Sequence, residues 1–229
     1  MLTRVPMLAP SACASVLDGV TALRDRWTRR TTSGEFYTLG AASYMDDGEG
    51  YAALAADRNA VLARVFAPLY DELLSRLGAA LGAPAHFTED KALPGFHIWG
   101  VPGIPTSGAA SLHFDLQYEK HAWPEPVSQP MSFTLPLALP VAGGGLSMWD
   151  LTHERVMAFY ARAPYHVPLA EIAALVPERH EPYAVGELVL HSGHTLHRIA
   201  GTPAIEPDDM RITLQGHGVF CGGTWHIYW

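Results

Sequence analysis

Cysteine is nearly missing from the chain: Cys13 and Cys221 lie at opposite ends and outside any Cys-x-x-Cys spacing. They make neither a disulfide framework nor a thiolate zinc site. Positive charge is also scarce, with 15 Lys plus Arg against 23 Asp plus Glu and a formal charge of -8. Such a balance repels phosphodiester backbones, so nucleic acid is not an expected partner. No apolar run is long enough to span a bilayer, and no tract is polar enough to resist folding. The first twenty residues carry Arg4, a short apolar patch broken by Pro6 and Pro10, and Ala12-Cys13-Ala14. A signal peptide needs a longer unbroken apolar core, so the expectation is a soluble, cytoplasmic protein without membrane contacts. Nothing in the sequence sets an oligomeric state.

What is present is an ordinary globular composition, 48% hydrophobic and 17% charged over 229 residues, with an excess of twelve histidines. That length fits one domain with a sizeable core. Apolar spacing predicts helices over residues 12–27 and 59–81, the second ended by Gly82 and Pro84 and kinked by Pro68. From residue 94 onward the pattern changes to short runs at 96–101, 112–118, 131–139, 146–151, 187–191 and 211–214, separated by Gly, Pro and Ser. The expected fold is therefore mainly β with N-terminal helices: residues 1–90 largely helical support, and residues 91–229 a sandwich or jelly roll. Pro136 predicts a bulge or an edge position in its strand. Gly143-Gly144-Gly145 reads as a tight turn, because a phosphate loop needs a following Lys and helix.

The most informative segment is Ser111-Leu112-His113-Phe114-Asp115-Leu116-Gln117-Tyr118. On a strand, side chains alternate faces, so His113 and Asp115 would project together with Ser111 and Gln117. One imidazole and one carboxylate suit a borderline divalent metal, and a second histidine completes the facial set of non-haem Fe(II) oxygenases. Three histidines in a second segment, His191, His194 and His197, flank a Ser192-Gly193 reversal that implies strand, turn and strand. One of them is the expected third ligand. Farther on, Arg211 and Thr213 share a face, and an inward arginine demands an anion; the alternative is a surface ion pair with Glu206, Asp208 or Asp209.

In this order, His113-x-Asp115, a distant histidine, then Arg211-x-Thr213, the chain resembles the Fe(II)/2-oxoglutarate-dependent dioxygenases over residues 94–215. By position His197 matches the family's distal histidine, with His194 as the alternative. The resemblance implies a double-stranded β-helix in which His113, Asp115 and His197 hold Fe(II). It further implies that Arg211 and Thr213 take the distal carboxylate of 2-oxoglutarate, and that dioxygen is the third reactant. A family enzyme of this kind hydroxylates an unactivated C–H bond of its substrate, with desaturation or ring closure as variants. Retention of Asp115 disfavours halogenation, since the family's halogenases carry a small residue there.

Around this centre Gln117, Tyr118, Trp99, Trp149, Trp225 and Tyr228 are expected to supply substrate contacts, although aromatics are more often core. His97, His191, His194, His217 and His226 read as satisfied core histidines more readily than as contacts, and Met148 and Met210 as packing. Residues 33–51 and 122–129 are candidate lids. The expected activity is oxidation of a small molecule, such as a free amino acid or a natural-product intermediate. The alternatives are a prolyl-hydroxylase-like enzyme acting on a peptide or protein, and a cupin-like metal or ligand-binding protein without oxidative chemistry.

Overall fold

The computed structural model describes residues 2–31, 36–46, 48–106 and 110–229. The chain runs β1 (Leu2–Pro6), α1 (Pro10–Ala22), β2 (Thr28–Arg30), β3 (Phe36–Leu39), α2 (Tyr51–Leu81), β4 (Ala85–Phe87) and β5 (Gly95–Gly100). It continues with β6 (Gln129–Ala138), β7 (Gly145–Thr152), α3 (His153–Tyr160), α4 (Leu169–Ala173), β8 (Glu178–Pro182), β9 (Glu187–Ser192), β10 (Thr195–Ala200), β11 (Met210–Cys221) and β12 (Thr224–Tyr228). Among the described residues, the larger sheet follows the order β1-β9-β6-β11-β5-β3-β2, with β12 on β11 and β4 on β12. The smaller sheet is β10-β7-β8. Pairing between these strands is antiparallel except for β12 with β4. This is the two-sheet, jelly-roll form of the double-stranded β-helix, buttressed by helices.

Alternation along the central strands separates a dry face from a polar one. Phe96 and Ile98 of β5, Met131, Phe133 and Leu135 of β6, Leu188 and Leu190 of β9, and Ile212 and Leu214 of β11 belong to one core with Leu62, Phe66, Leu69, Leu73 and Leu77 of α2. The intervening residues His97, Trp99, Ser132, Thr134, His191, Arg211, Gln215 and His217 line a cavity on the opposite face. A period-two strand buried on both faces is thereby apolar toward the helices and polar toward the second sheet.

Helix α2 begins eight residues before the predicted start and kinks at Phe66 (φ -115°, ψ 23°), just ahead of Pro68, whose ring and missing N–H disrupt the preceding turn. It ends at Gly82, whose φ of 70° is left-handed and whose N–H donates to the Gly78 carbonyl. No helix among the described residues is long and apolar enough to cross a membrane.

Several expectations need correction. Residues 1–90, expected as largely helical support, carry α1 and α2 but also supply β1 to β4 to the larger sheet. The predicted helix over 12–27 ends at Ala22 and gives way to a 3-10 turn, Arg24–Arg26. Residues 112–118 are not a continuous strand: His113 makes an isolated bridge to His197, and Gln117–Lys120 is a 3-10 helix. Pro136 lies in a central strand, and the register with β11 shifts beside it, so the bulge holds and the edge position does not. Met210 is partly exposed rather than packed.

Candidate metal centre

The site starts from three backbone contacts. His113 and His197 exchange both amide-to-carbonyl bonds, at 3.0 and 3.1 Å, and the Asp115 amide donates to the Gly193 carbonyl at 2.8 Å. These bonds tie the segment after Ser111 to the β9–β10 reversal, so residues more than seventy positions apart are held at one place. A continuous strand is unnecessary for that purpose.

Three side chains converge there. His197 Nε2 lies 3.2 Å from Asp115 Oδ2, and His113 Nε2 lies 3.8 Å from Asp115 Oδ1. One donor atom from each of His113, Asp115 and His197 lies within 4.8 Å of the others. In both histidines Nδ1 faces a backbone carbonyl, Ser111 at 2.9 Å and Thr195 at 2.8 Å. A carbonyl only accepts, so each Nδ1 carries the proton and each Nε2 is left to bind a metal. His194 is elsewhere, its Nε2 bonded to the Tyr118 hydroxyl at 2.8 Å.

Burial pushes the Asp115 carboxyl up, but the charge and hydrogen bond of His197, with His217 and His113 behind them, outweigh it and hold the group well below its ordinary range. Burial pushes the His197 imidazole down, and Asp115 more than reverses that, leaving it raised. Burial, then His197, lowers His113; the same pair pushes His191 down to about 3. His113 and His191 are consequently neutral and the Asp115 carboxylate ionised near neutral pH, while His197 keeps the stronger hold on a proton that the adjacent carboxylate gives it.

A cavity of about 470 Å³ opens onto this centre. Arg211 lies in its wall, 2% exposed, with its guanidinium carbon 4.8 Å from the Trp99 ring centroid and 6.0 Å from that of Tyr183. Its Nε and Nη1 have no partner. The inward position expected for Arg211 is the one it takes, and the alternative, a surface ion pair, is not formed: the Asp209 carboxylate instead accepts from the amides of Val141 and Glu206, at 2.9 and 2.7 Å. The cavity's other arginine, Arg30, is already paired with Asp46 through two bonds of 2.7 and 2.6 Å. Among the described lining residues, Arg211 is thus the cation that awaits an anion.

Of the residues predicted around the centre, Gln117 and Trp99 line the cavity. Thr213 is fully buried behind the wall, where its hydroxyl accepts from Gln215 Nε2 at 3.1 Å, and Gln215 lines the cavity in its place. Tyr118, Trp149 and Trp225 do not line it. Tyr118 sits on the 3-10 helix beside His194; Trp149 points outward from β7 against Leu196 and Ala173; Trp225 joins the helix-side core. Tyr228 is also outside the lining and packs against Trp123. His97, His191 and His217, expected as core histidines, are buried and yet line the cavity. Sequence reasoning missed Ser132 and Tyr183, and offered Phe36 and Tyr44 only as part of a candidate lid. The signal for Ser132 was available, since Ser132 and Thr134 alternate with Met131, Phe133 and Leu135. Of the lid candidates, residues 33–35 and 47 lie outside the described residues, Tyr44 and Met45 line the cavity, and residues 122–129 do not.

No protein-family model and no curated protein matches the chain. Solved structures do. An N-substituted L-amino acid dioxygenase from Burkholderia ambifaria AMMD, in complex with alpha-ketoglutarate, superposes with a TM-score of 0.56 at 16% identity, covering 99% of this chain and 85% of its own. The alpha-ketoglutarate-dependent non-haem epimerase SnoN of nogalamycin biosynthesis gives 0.54 at 13%, covering 97% and 82%. AviO1 from Streptomyces viridochromogenes Tue57 gives 0.54 at 15%, covering 97% and 90%. At these identities the likeness is one of fold.

Proposed function

We propose that the chain is an Fe(II)- and 2-oxoglutarate-dependent dioxygenase that oxidises a small molecule. The observation that carries the proposal is the buried, unpartnered Arg211 in the same cavity as His113, Asp115 and His197. Two imidazole nitrogens and one carboxylate oxygen suit Fe(II) and leave coordination positions open. When bound, Fe(II) with 2-oxoglutarate and dioxygen supplies the oxidising power to break an unactivated C–H bond, releasing succinate and carbon dioxide.

The chain's own residues prepare that event. Arg211 offers two aligned N–H donors and a full charge to the distal carboxylate of 2-oxoglutarate, a geometry suited to a bidentate pair. Trp99 and Tyr183 flank the guanidinium and exclude water, which strengthens the pairing. Phe36, stacked on Trp99 with ring centroids 4.8 Å apart, extends the aromatic wall along which a substrate would lie. The carbonyl-fixed tautomers of His113 and His197 present both donors without rearrangement.

The substrate proposed is a free amino acid or a natural-product intermediate, and hydroxylation is the outcome. Two readings are weaker. A peptide hydroxylase would need an open groove, whereas this cavity is walled by both sheets. A cupin-like binding protein has no use for an uncompensated arginine beside its metal. The test is a screen of small-molecule candidates with Fe(II), 2-oxoglutarate and oxygen, read by substrate-dependent succinate release and mass spectrometry. A gain of one oxygen atom in a product supports the proposal; failure of 2-oxoglutarate and Fe(II) to bind together overturns it.

A further inference from the structure

Three residues form a rung across the middle of the larger sheet on the cavity face. Ser132 of β6 is the register partner of His191 on β9 and of His217 on β11. Asp115 sits directly over this rung: Ser132 Oγ lies 2.6 Å from Asp115 Oδ2 and 3.0 Å from His217 Nδ1. All three groups are buried, with Ser132 at 4%, Asp115 at 7% and His217 at 9% exposure.

The direction of these bonds follows from what each group can do. An ionised carboxylate only accepts, so the single hydroxyl proton of Ser132 goes to Asp115. The hydroxyl oxygen is then an acceptor toward His217, and Nδ1 must carry the imidazole proton. The chain His217 Nδ1–H to Ser132 O–H to Asp115 Oδ2 has one polarity. Each donor polarises the next, which strengthens the bond on the carboxylate. Gln117 Nε2 supports the other oxygen more loosely, at 3.3 Å from Oδ1. Among the described residues, no other side chain grips Asp115 as closely as Ser132 does.

From this geometry, and resting on the metal site proposed above, we infer that His217, acting through Ser132, is a positioning residue for Asp115. It holds the carboxylate in one rotational setting and so governs how tightly the metal is held. His217 touches none of the three metal donors itself. Its influence passes through one hydroxyl, and partners of this kind are worth roughly 10- to 100-fold in metal affinity. A histidine at this place would otherwise read as a core residue tolerating any aromatic of similar size.

The experiment uses Co(II) as the probe, titrated into the full-length chain by calorimetry and followed by its visible ligand-field bands. Ser132→Ala should weaken Co(II) binding about 10- to 100-fold. His217→Phe should weaken it by a comparable factor and alter the band pattern. His217→Asn, whose side-chain amide can donate from near the Nδ1 position, should return affinity to within about threefold of wild type. In the Ser132→Ala background His217→Asn and His217→Phe should bind Co(II) equally, because the link they act through is gone. Equal affinity of wild type and His217→Phe overturns the inference, as does an additive effect of the two sites. Should His217→Phe unfold, His217→Leu takes its place: it should weaken Co(II) binding in the otherwise wild-type chain and have no further effect on Ser132→Ala, and equal weakening in both backgrounds overturns the inference. A His113→Ala control separates the two levels. If wild type binds Co(II), His113→Ala does not, and His217→Phe binds like wild type, only this inference fails. If wild type does not bind Co(II) at all, the metal-site reading fails with it.

Discussion

Arg211 packs its guanidinium over the Trp99 ring at 4.8 Å while two of its three nitrogens, Nε and Nη1, stay buried and unbonded. A buried cation without a counter-charge costs free energy, and burial pulls its pKa below the ordinary arginine value. Arg211→Met should therefore leave the ligand-free chain as stable as wild type or more so. The same substitution should remove the thermal stabilisation that 2-oxoglutarate confers in the presence of metal. Two charge-assisted bonds at roughly 1.5–3 kcal/mol each correspond to a loss of at least about 100-fold in 2-oxoglutarate affinity. Melting curves with and without 2-oxoglutarate test both halves. An unchanged upshift in Arg211→Met would remove the carboxylate role.

The ligand set makes a sharper distinction between two histidines three positions apart. Anaerobic addition of Fe(II) and 2-oxoglutarate should produce a weak visible charge-transfer band. His113→Ala, Asp115→Ala and His197→Ala should each abolish it. His194→Ala should retain it, because His194 Nε2 is engaged by the Tyr118 hydroxyl at 2.8 Å, away from the three donors. A band that survives His197→Ala and disappears in His194→Ala would reverse the assignment.

Legibility in the sequence tracked the locality of each signal. Strand alternation in residues 211–214 put Arg211 on the inward face because adjacent residues alone decide it. His113 and Asp115 were legible as a pair, yet the reason for their shared orientation was wrong. Their direction comes from amide bonds to His197 and Gly193, contacts across some eighty positions, rather than from a regular strand. Trp149 and Trp225 were misplaced because aromatic identity does not say which face of a strand is dry; packing decides it, against Leu196 and Ala173 for Trp149 and against Phe220 and the helix-side core for Trp225. Strands β1 to β4 were invisible for a related reason. Each is three to five residues long, too short for period two to stand out, and exists because a longer partner recruits it.

Acid should destabilise the chain through histidines that the fold keeps neutral. Burial first, then the charges of Arg211, Arg30 and His217, hold His97 well below its ordinary pKa. Above about pH 6.5 neither the folded nor the unfolded chain protonates it, and no stability is at stake. Below that value the unfolded chain takes up a proton that the folded chain refuses, so stability falls as pH falls toward the folded value. The cost is about 1.4 kcal/mol per pH unit, or about 2 kcal/mol at pH 5. His97→Gln keeps a hydrogen-bonding group for the Tyr44 hydroxyl, which His97 Nε2 meets at 2.8 Å, but cannot titrate. Unfolding free energies from urea titrations at pH 7 and pH 5 should therefore differ less in His97→Gln than in wild type, by about 2 kcal/mol. An equal acid loss in both proteins would exclude His97 as a source.

The wall behind His97 depends on a glycine. Trp229 is fully buried, its amide donating to the Ala92 carbonyl at 2.9 Å and its carbonyl accepting from the Ser43 amide at 3.0 Å. Its ring lies 5.3 Å from that of His97 and directly against the α-carbon of Gly95. A Cβ at Gly95 would overlap the Trp229 ring and stand 2.8 Å from the Leu39 carbonyl oxygen. Both neighbours are anchored, the ring by its backbone bonds and the carbonyl by the strand, so neither can yield cheaply. Gly95→Ala should cost about 3 kcal/mol, at the upper end of overpacking penalties. Trp229→Leu alone should cost a similar amount by leaving a cavity. Together the two changes should cost less than their sum by at least about 1 kcal/mol, since the smaller side chain makes room for the new methyl. Urea denaturation of the four proteins closes this cycle, and strict additivity would mean that the strain in Gly95→Ala arises from Leu39 rather than from the indole.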